Sequence, residues 1–171
     1  MKILIAYAGR VGVTAECADL LAKALEWRDV TVCDLKKETP DIERFDTVIV
    51  GSAVYYGRAE KCARKFVSEH KSLLNGKKYA FYICCAYADM SERYLNEAFS
   101  RELCQGAVEC GYFGGELKPH KQKSFFAKLI ARSMRNDIIN NGDSDDESMI
   151  RILPEINPSE ISRFADKIKK S

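Results

Sequence analysis

The chain has 171 residues, of which 46% are hydrophobic and 30% charged, and its formal net charge is +2. This composition supplies one sizeable core, and it excludes a disordered chain, a nucleic-acid binder driven by overall positive charge and a strongly acidic protein. No apolar run approaches the roughly 20 residues of a membrane span, and the first residues lack the pattern of a signal peptide. We therefore expect one cytoplasmic domain over residues 1–171.

Short β-branched and aromatic runs predict five strands, at 2–7, 30–35, 47–50, 78–84 and 107–113. Apolar residues at helical spacing predict helices over 14–25, 59–67 and 94–103. A final helix follows Asn157-Pro158, which has the pattern of an N-cap with proline at the first helical position. Alternating strands and helices indicate an α/β fold with a parallel sheet covered on both faces, a three-layer sandwich.

Between residues 118 and 150 the charge pattern changes sign. Residues 118–135 contain six basic residues and no acid, whereas residues 136–147 contain five acids and no base. At helical spacing, Lys128, Arg132 and Arg135 fall on one side, away from an apolar stripe, which predicts a basic amphipathic helix before an acidic loop. This helix either packs on the domain as an ordinary surface helix or contacts an anionic membrane or an acidic redox partner.

The seven cysteines form an odd set without a Cys-x-x-Cys pair, and only two histidines accompany them. We therefore predict reduced, mostly buried thiols and no metal site. Cys84 and Cys85 are adjacent, which leaves open a redox dithiol. However, successive strand residues point to opposite faces of a sheet, so the pair is better interpreted as two separate core residues.

The strongest local signal is the connection between the first strand and the first helix. A loop at the carboxyl end of a parallel strand directs backbone N–H groups and the positive end of a helix dipole at one spot, which suits a phosphate. The alternative is a simple tight turn in which Thr14 is the N-cap. The candidate phosphate-binding residues are Gly9, Arg10, Val11, Gly12, Val13 and Thr14.

Two further predicted loops carry tyrosines to the same edge of the sheet, where a flat ring could lie. Isolated loop tyrosines are usually surface residues, but three of them beside a phosphate turn favour a stacking site for an aromatic ligand. The sequence leaves open which tyrosine stacks. The candidate residues are Ala53, Val54, Tyr55, Tyr56 and Gly57 after the third strand, and Ala86 and Tyr87 after the fourth.

The first loop resembles the signature of flavodoxin-like proteins, with matches at Tyr7, Gly12, Thr14, Ala18 and Leu21. Position 9 departs from that signature, because a glycine stands where the family usually has a hydroxyl. The resemblance implies a five-stranded sheet in the order 2-1-3-4-5 and non-covalent FMN binding by residues 9–14. It is closer to one branch, the FMN-dependent, menaquinone-linked protoporphyrinogen oxidases. Shuttle flavodoxins are typically acidic, so the net charge of +2 also favours this branch over them.

This resemblance implies an oxidoreductase that passes electrons from a reduced substrate such as a porphyrinogen to a quinone at the inner face of the membrane; it does not identify catalytic residues. Two alternatives are an electron-transfer module serving a separate reductase and an interaction domain without flavin. A nicotinamide-binding Rossmann domain could use Asp34 to hold a ribose. That fold is disfavoured because Tyr7 occupies the place of the first glycine of its motif.

Overall fold

The computed structural model describes residues 1–26, 28–115 and 154–171, together with residues 132 and 136. Its strands are β1 (Lys2–Ala8), β2 (Asp29–Asp34), β3 (Thr47–Tyr55), β4 (Arg58–Ala59), β5 (Lys78–Cys84) and β6 (Cys110–Tyr112). Its helices are α1 (Val13–Ala24), α2 (Lys61–Glu69), α3 (Lys71–Leu74), α4 (Ser91–Phe99), α5 (Arg101–Gly106) and the C-terminal helix α6 (Pro158–Lys170).

Five of the strands pair in parallel in the order β2-β1-β3-β5-β6. This is the predicted order 2-1-3-4-5 once the short β4 is set aside, so the expected topology is confirmed. The unpredicted β4 pairs antiparallel with the end of β3.

Alternate residues of each strand enter two separate cores, as the two-residue period of a strand requires. On one face, Leu4 and Ala6 pack with side chains from α2, α4 and α5. On the other face, Ile3 and Ile5 pack with side chains from α1 and α6. The sheet is therefore the middle layer of three, as predicted.

Strand β3 runs five residues beyond its predicted end, so the expectation that residues 51–55 form a loop is wrong. Gly51 suggested a strand end, but it lies inside the strand because it pairs with Tyr82 of β5. A Cβ at position 51 would overlap the Tyr82 ring. The glycine thus provides room for a fully buried tyrosine.

Two other elements differ more than marginally from the predictions. The single helix expected over 94–103 is divided at Ser100, which has a φ of 68° and whose hydroxyl accepts a hydrogen bond from the N–H of Leu103 at 3.4 Å. A serine without a neighbouring glycine or proline gives little warning of such a break. The strand predicted over 107–113 is shorter, Cys110–Tyr112, although the N–H groups of Val108 and Phe113 on either side also donate to carbonyls of β5.

Cys84 and Cys85 are both buried and belong to the cores on opposite faces of the sheet, as predicted. Within the described ranges, no helix combines the length and apolar character needed to cross a bilayer.

Candidate functional site

The carboxyl ends of β1, β3 and β5 lie side by side at one edge of the sheet. Strand β2 lies on one side of β1 in the sheet, and β3, which follows β2 in the chain, lies on the other side of β1. Such a reversal of strand order leaves a crevice between neighbouring loops, where open α/β sheets bind their ligands. The fold therefore brings the three predicted loops to one edge.

The first loop leads directly into α1, and Gly12 is the N-cap of that helix. Gly12 has a φ of 92°, and an added Cβ would meet nothing within 4 Å, so conformation rather than crowding favours glycine there. Because Gly12 provides no side-chain cap, the first N–H groups of α1 suit an anion. The alternative with Thr14 as N-cap is wrong, because α1 begins at Val13.

Thr14 lies in the first turn of α1 and is only 2% exposed. A Cβ at Gly9 would lie 2.7 Å from the Thr14 hydroxyl oxygen, so the missing side chain at position 9 makes room for that hydroxyl. The side chain of Val13 is also buried, so this residue could bind a ligand only through its backbone N–H.

A buried carboxylate under the first loop was not anticipated from the sequence. Glu60, just before α2, is 7% exposed, and its Oε1 lies 2.5 Å from Nε of Arg10. Its Oε2 lies 3.3 Å from Nζ of Lys36, which also donates a hydrogen bond of 2.7 Å to the Gly9 carbonyl. The only available signal was that Lys36 follows β2 and so belongs to the same edge.

Tyr55, at the end of β3, lies beside the first loop rather than extending into solvent. The guanidinium carbon of Arg10 is 4.7 Å from the centre of its ring, a distance typical of a cation–π contact. Burial raises the pKa of the Tyr55 phenol to about 12, although Arg10 and hydrogen bonds from the backbone N–H groups of Arg10 and Val11 favour ionisation. One face of this ring is therefore already covered.

Tyr56 and Gly57 form a tight turn that connects β3 to β4. Both have positive φ, 50° and 73°, as a two-residue type I′ hairpin turn requires. The side chain of Tyr56 is directed outward, and the residue is 67% exposed. Of the predicted residues before the turn, Ala53 is buried and Val54 packs against the core beneath α2.

Tyr87 lies after β5, at the start of a 3₁₀ turn formed by Ala88–Met90, and it is 39% exposed. Its carbonyl accepts a hydrogen bond from the Cys85 thiol at 3.2 Å, and Ala86 between them is half-buried. Tyr87 and Asp89 also line a cleft of about 450 Å³ that extends to residues 154–158.

The predicted basic helix and acidic loop lie almost entirely outside the described residues. Of the three cations proposed to form one side of that helix, Arg132 is described as helical and exposed, whereas Lys128 and Arg135 are not described. The proposed membrane contact thus stays a prediction from the sequence.

The chain has a clear curated relative. It is 34% identical over 144 residues to the protoporphyrinogen IX dehydrogenase [quinone] of Escherichia coli K12, an alignment that covers 77% of this chain and 80% of the relative.

Two solved structures share the fold over nearly the whole chain. A Streptococcus pneumoniae flavodoxin has a TM-score of 0.60 and 19% identity, with 99% of each chain covered. A Fusobacterium nucleatum flavodoxin bound to flavin mononucleotide has a TM-score of 0.57 and 16% identity, with 99% of this chain and 97% of that chain covered.

The family model of the flavodoxin domain matches residues 4–145, which include all of the predicted site residues. Together with the 34% identical relative, this match identifies the chain as a member of the flavodoxin domain family.

Proposed function

We propose that residues 1–171 form one domain that binds FMN non-covalently at the carboxyl edge of the sheet and acts as an oxidoreductase. The observation that carries this proposal is the juxtaposition at the topological switch point. The glycine-capped start of α1 and the exposed tyrosines Tyr56 and Tyr87 lie on neighbouring loops. The first feature suits a phosphate, and the second suits an aromatic ring.

The residues divide into two groups along the bound flavin. The backbone N–H groups of residues 12–14 and the Thr14 hydroxyl would hold the phosphate, whereas the N–H groups of Arg10 and Val11 bond to the Tyr55 phenol. Tyr56 and Tyr87 present exposed aromatic faces on which the ring would stack, and the backbone of residues 53–57 and 86 would help to hold it. Ala53 and Val54 contribute backbone alone, because their side chains face the protein interior.

When bound, FMN supplies the oxidation–reduction chemistry, and the chain supplies binding, orientation and exclusion of water. The neutral phenol of Tyr55 and the ion pairs of Glu60 fix the loop that meets the phosphate. We assign no side chain a catalytic role.

For the substrates, we propose a reduced porphyrin precursor as electron donor and a quinone as acceptor. The support is the activity named for the 34% identical relative, which aligns over most of both chains. The flavodoxin neighbours, at 16–19% identity, support the fold alone.

The first experiment is the visible spectrum of the purified protein, followed by release of the cofactor and its identification by chromatography. We expect the two absorption bands of an oxidised flavin and stoichiometric FMN. A colourless protein that takes up no added FMN contradicts the proposal and favours the flavin-free interaction domain.

The second experiment is steady-state turnover of the loaded protein with protoporphyrinogen and a soluble quinone. We expect quinone-dependent porphyrin formation, recorded by porphyrin fluorescence against a control without protein. If FMN is bound but only a separate reductase and acceptor protein exchange electrons with it, the chain is an electron-transfer module instead.

A further inference from the structure

Two cations from different loops meet at the loop that precedes α1. Arg10 belongs to that loop, and Lys36 follows β2, the neighbouring strand. Nζ of Lys36 donates a 2.7 Å hydrogen bond to the carbonyl of Gly9, so its charge is held directly at the loop. Side-chain exposures of 53% for Arg10 and 31% for Lys36 leave both cations accessible to a ligand.

Glu60 forms an ion pair with each of these two cations. Each of its carboxylate oxygens faces one of them, at 2.5 Å from Arg10 and 3.3 Å from Lys36, while its side chain is 6% exposed. Its backbone N–H is also fixed, by the Ser52 hydroxyl at 2.9 Å and the Ala53 carbonyl at 3.2 Å. Burying a carboxylate is costly unless it is paired, so the site holds its charged groups in one arrangement.

The charges of this cluster do not cancel. Two cations against one carboxylate leave a charge of +1 within the cluster of Arg10, Lys36 and Glu60. Arg10 is held on two sides, by Glu60 at Nε and by the Tyr55 ring at 4.7 Å from its guanidinium carbon. A guanidinium fixed at Nε can present its two terminal nitrogens together, the geometry that binds a phosphate through two parallel hydrogen bonds.

We propose that Arg10 and Lys36 form a phosphate clamp, positioned by the buried Glu60, which makes the chain select phosphorylated flavin over riboflavin. The inference rests on the proposed function, because it assigns residues to the phosphate end of the bound FMN. Position 9 is a glycine and therefore has no hydroxyl with which to contact a phosphate. The clamp supplies that contact instead. Glu60 is a positioning residue that acts through the two cations.

The test compares the affinities of the flavin-free protein for FMN and riboflavin, by quenching of flavin fluorescence. The variants are Arg10→Gln, Lys36→Gln and Glu60→Gln, and circular dichroism verifies their folding. We expect Arg10→Gln and Lys36→Gln each to weaken FMN binding by about ten-fold, as for loss of a hydrogen bond to a charged group. Glu60→Gln should also weaken FMN binding, because it releases both cations, and all three changes should leave riboflavin binding unchanged. Added salt should weaken FMN binding in the parent far more than riboflavin binding.

Matched controls remove one positive charge elsewhere. Lys37→Gln alters the neighbour of Lys36, a side chain that is 80% exposed, and Arg44→Gln alters an exposed arginine before β3. Both controls should retain the parent's ratio of FMN to riboflavin affinity, since neither cation contacts Glu60 or the loop.

Three results would overturn the clamp. Equal weakening of FMN and riboflavin in the variants means that the cluster is only structural. Tighter FMN binding by Glu60→Gln means that the carboxylate merely repels the phosphate. If Arg10→Gln and Lys36→Gln, which alter accessible side chains, leave FMN affinity unchanged, the clamp proposal is refuted while the proposed binding of FMN is not. A parent that binds neither flavin instead overturns the proposed function, and the clamp with it.

Discussion

The side chains around the site fall into two groups, those that would contact the phosphate of a flavin and those that would contact its ring. Arg10, Lys36 and Thr14 surround the start of α1, whereas Tyr56 and Tyr87 are exposed on the next two loops. Riboflavin has the ring of FMN but no phosphate. A comparison of the two ligands therefore assigns each residue to one end of the site.

Replacing Tyr56 by Ala should weaken FMN and riboflavin alike and restore the fluorescence of the bound flavin. A stacked tyrosine both binds and quenches the ring, and its loss corresponds to about 1 kcal/mol, roughly five-fold in affinity. The measurement is fluorescence titration with both flavins. Tyr56→Phe is the matched control, because it keeps the aromatic face and should retain both affinity and quenching.

Tyr55 should behave differently, because its ring lies against Arg10. We expect Tyr55→Ala to weaken FMN more than riboflavin. If Tyr56→Ala binds both flavins as tightly as the parent and quenches their fluorescence as strongly, the stacking tyrosine is elsewhere, and Tyr87 is the next candidate.

Gly12→Val should lower both FMN affinity and stability. A residue with a Cβ pays about 1–2 kcal/mol in the left-handed region, and the φ of 92° lies there. Asparagine tolerates positive φ, so Gly12→Asn should be milder. Urea unfolding with and without FMN measures both effects, and equal stability of Gly12→Val and the parent would contradict the assigned backbone conformation.

The residues of the site were predictable to different degrees. Gly12 and Thr14 stand at a strand-to-helix junction, so their position along the chain is sufficient to suggest a phosphate site. Glu60 and Arg10 are 50 positions apart, and nothing local marks their contact. It depends on the turn at Tyr56–Gly57 and on β4, which reverse the chain after β3.

Among the secondary-structure elements, the junction of α4 and α5 carries backbone strain. Ser100 has a φ of 68° and a ψ of 146°, a region that glycine occupies far more readily than serine. The serine is retained as N-cap of α5 through its bond to the N–H of Leu103.

Two substitutions at Ser100 should change stability in opposite directions. Ser100→Gly relieves strain of at least about 1 kcal/mol and loses only a few tenths of capping energy, so it should stabilise the fold. Ser100→Ala keeps the strain and loses the cap, so it should destabilise by about 1 kcal/mol. Urea denaturation of both variants measures the changes, and a destabilised Ser100→Gly would contradict the strained conformation.

Periodic elements were predicted well because one-sided burial leaves a repeating pattern. The strand predicted over 78–84 has the same bounds in the structure. The pattern Asn157-Pro158 marks the start of α6 correctly, since Asn157 accepts a hydrogen bond from the N–H of Glu160. The end of β3 was missed because a glycine inside a strand looks like a strand end. Only the position of Tyr82 in the next strand explains it.

For the whole molecule, the alternation of strands and helices predicted a parallel sheet and the resemblance implied its strand order, and the observed pairing confirms both. The small β4 was unpredictable, because two residues carry no periodicity. Its consequence is large, since it places Glu60 beneath the first loop.

The full chain should bind anionic vesicles at low salt. Lys128, Arg132 and Arg135 lie at helical spacing in the sequence. Basic residues near a bilayer contribute about 1 kcal/mol each toward anionic lipid, an attraction that salt screens within a Debye length of about 10 Å. Flotation with phosphatidylglycerol vesicles should show binding that fades as salt is raised, and phosphatidylcholine vesicles should show none.

Charge reversal of these three residues to Glu should abolish flotation and lower turnover with membrane-embedded quinone, with FMN content unchanged. Reversal of Lys23, Lys37 and Arg44, which are exposed elsewhere, is the matched control. If the parent ignores anionic vesicles and the triple variant retains quinone turnover, the three cations are only a solvated surface.

The hairpin from Ser52 to Glu60 has an evolutionary consequence. It presents Tyr56 at its tip and Glu60 at its base, and the bond between the Glu60 N–H and the Ser52 hydroxyl closes it. One inserted residue would shift the register and turn Glu60 away from Arg10. Descendants of this chain should therefore vary at the exposed Arg58 while conserving the length of the hairpin. We therefore expect insertions and deletions in this hairpin to be tolerated less often than substitutions at Arg58.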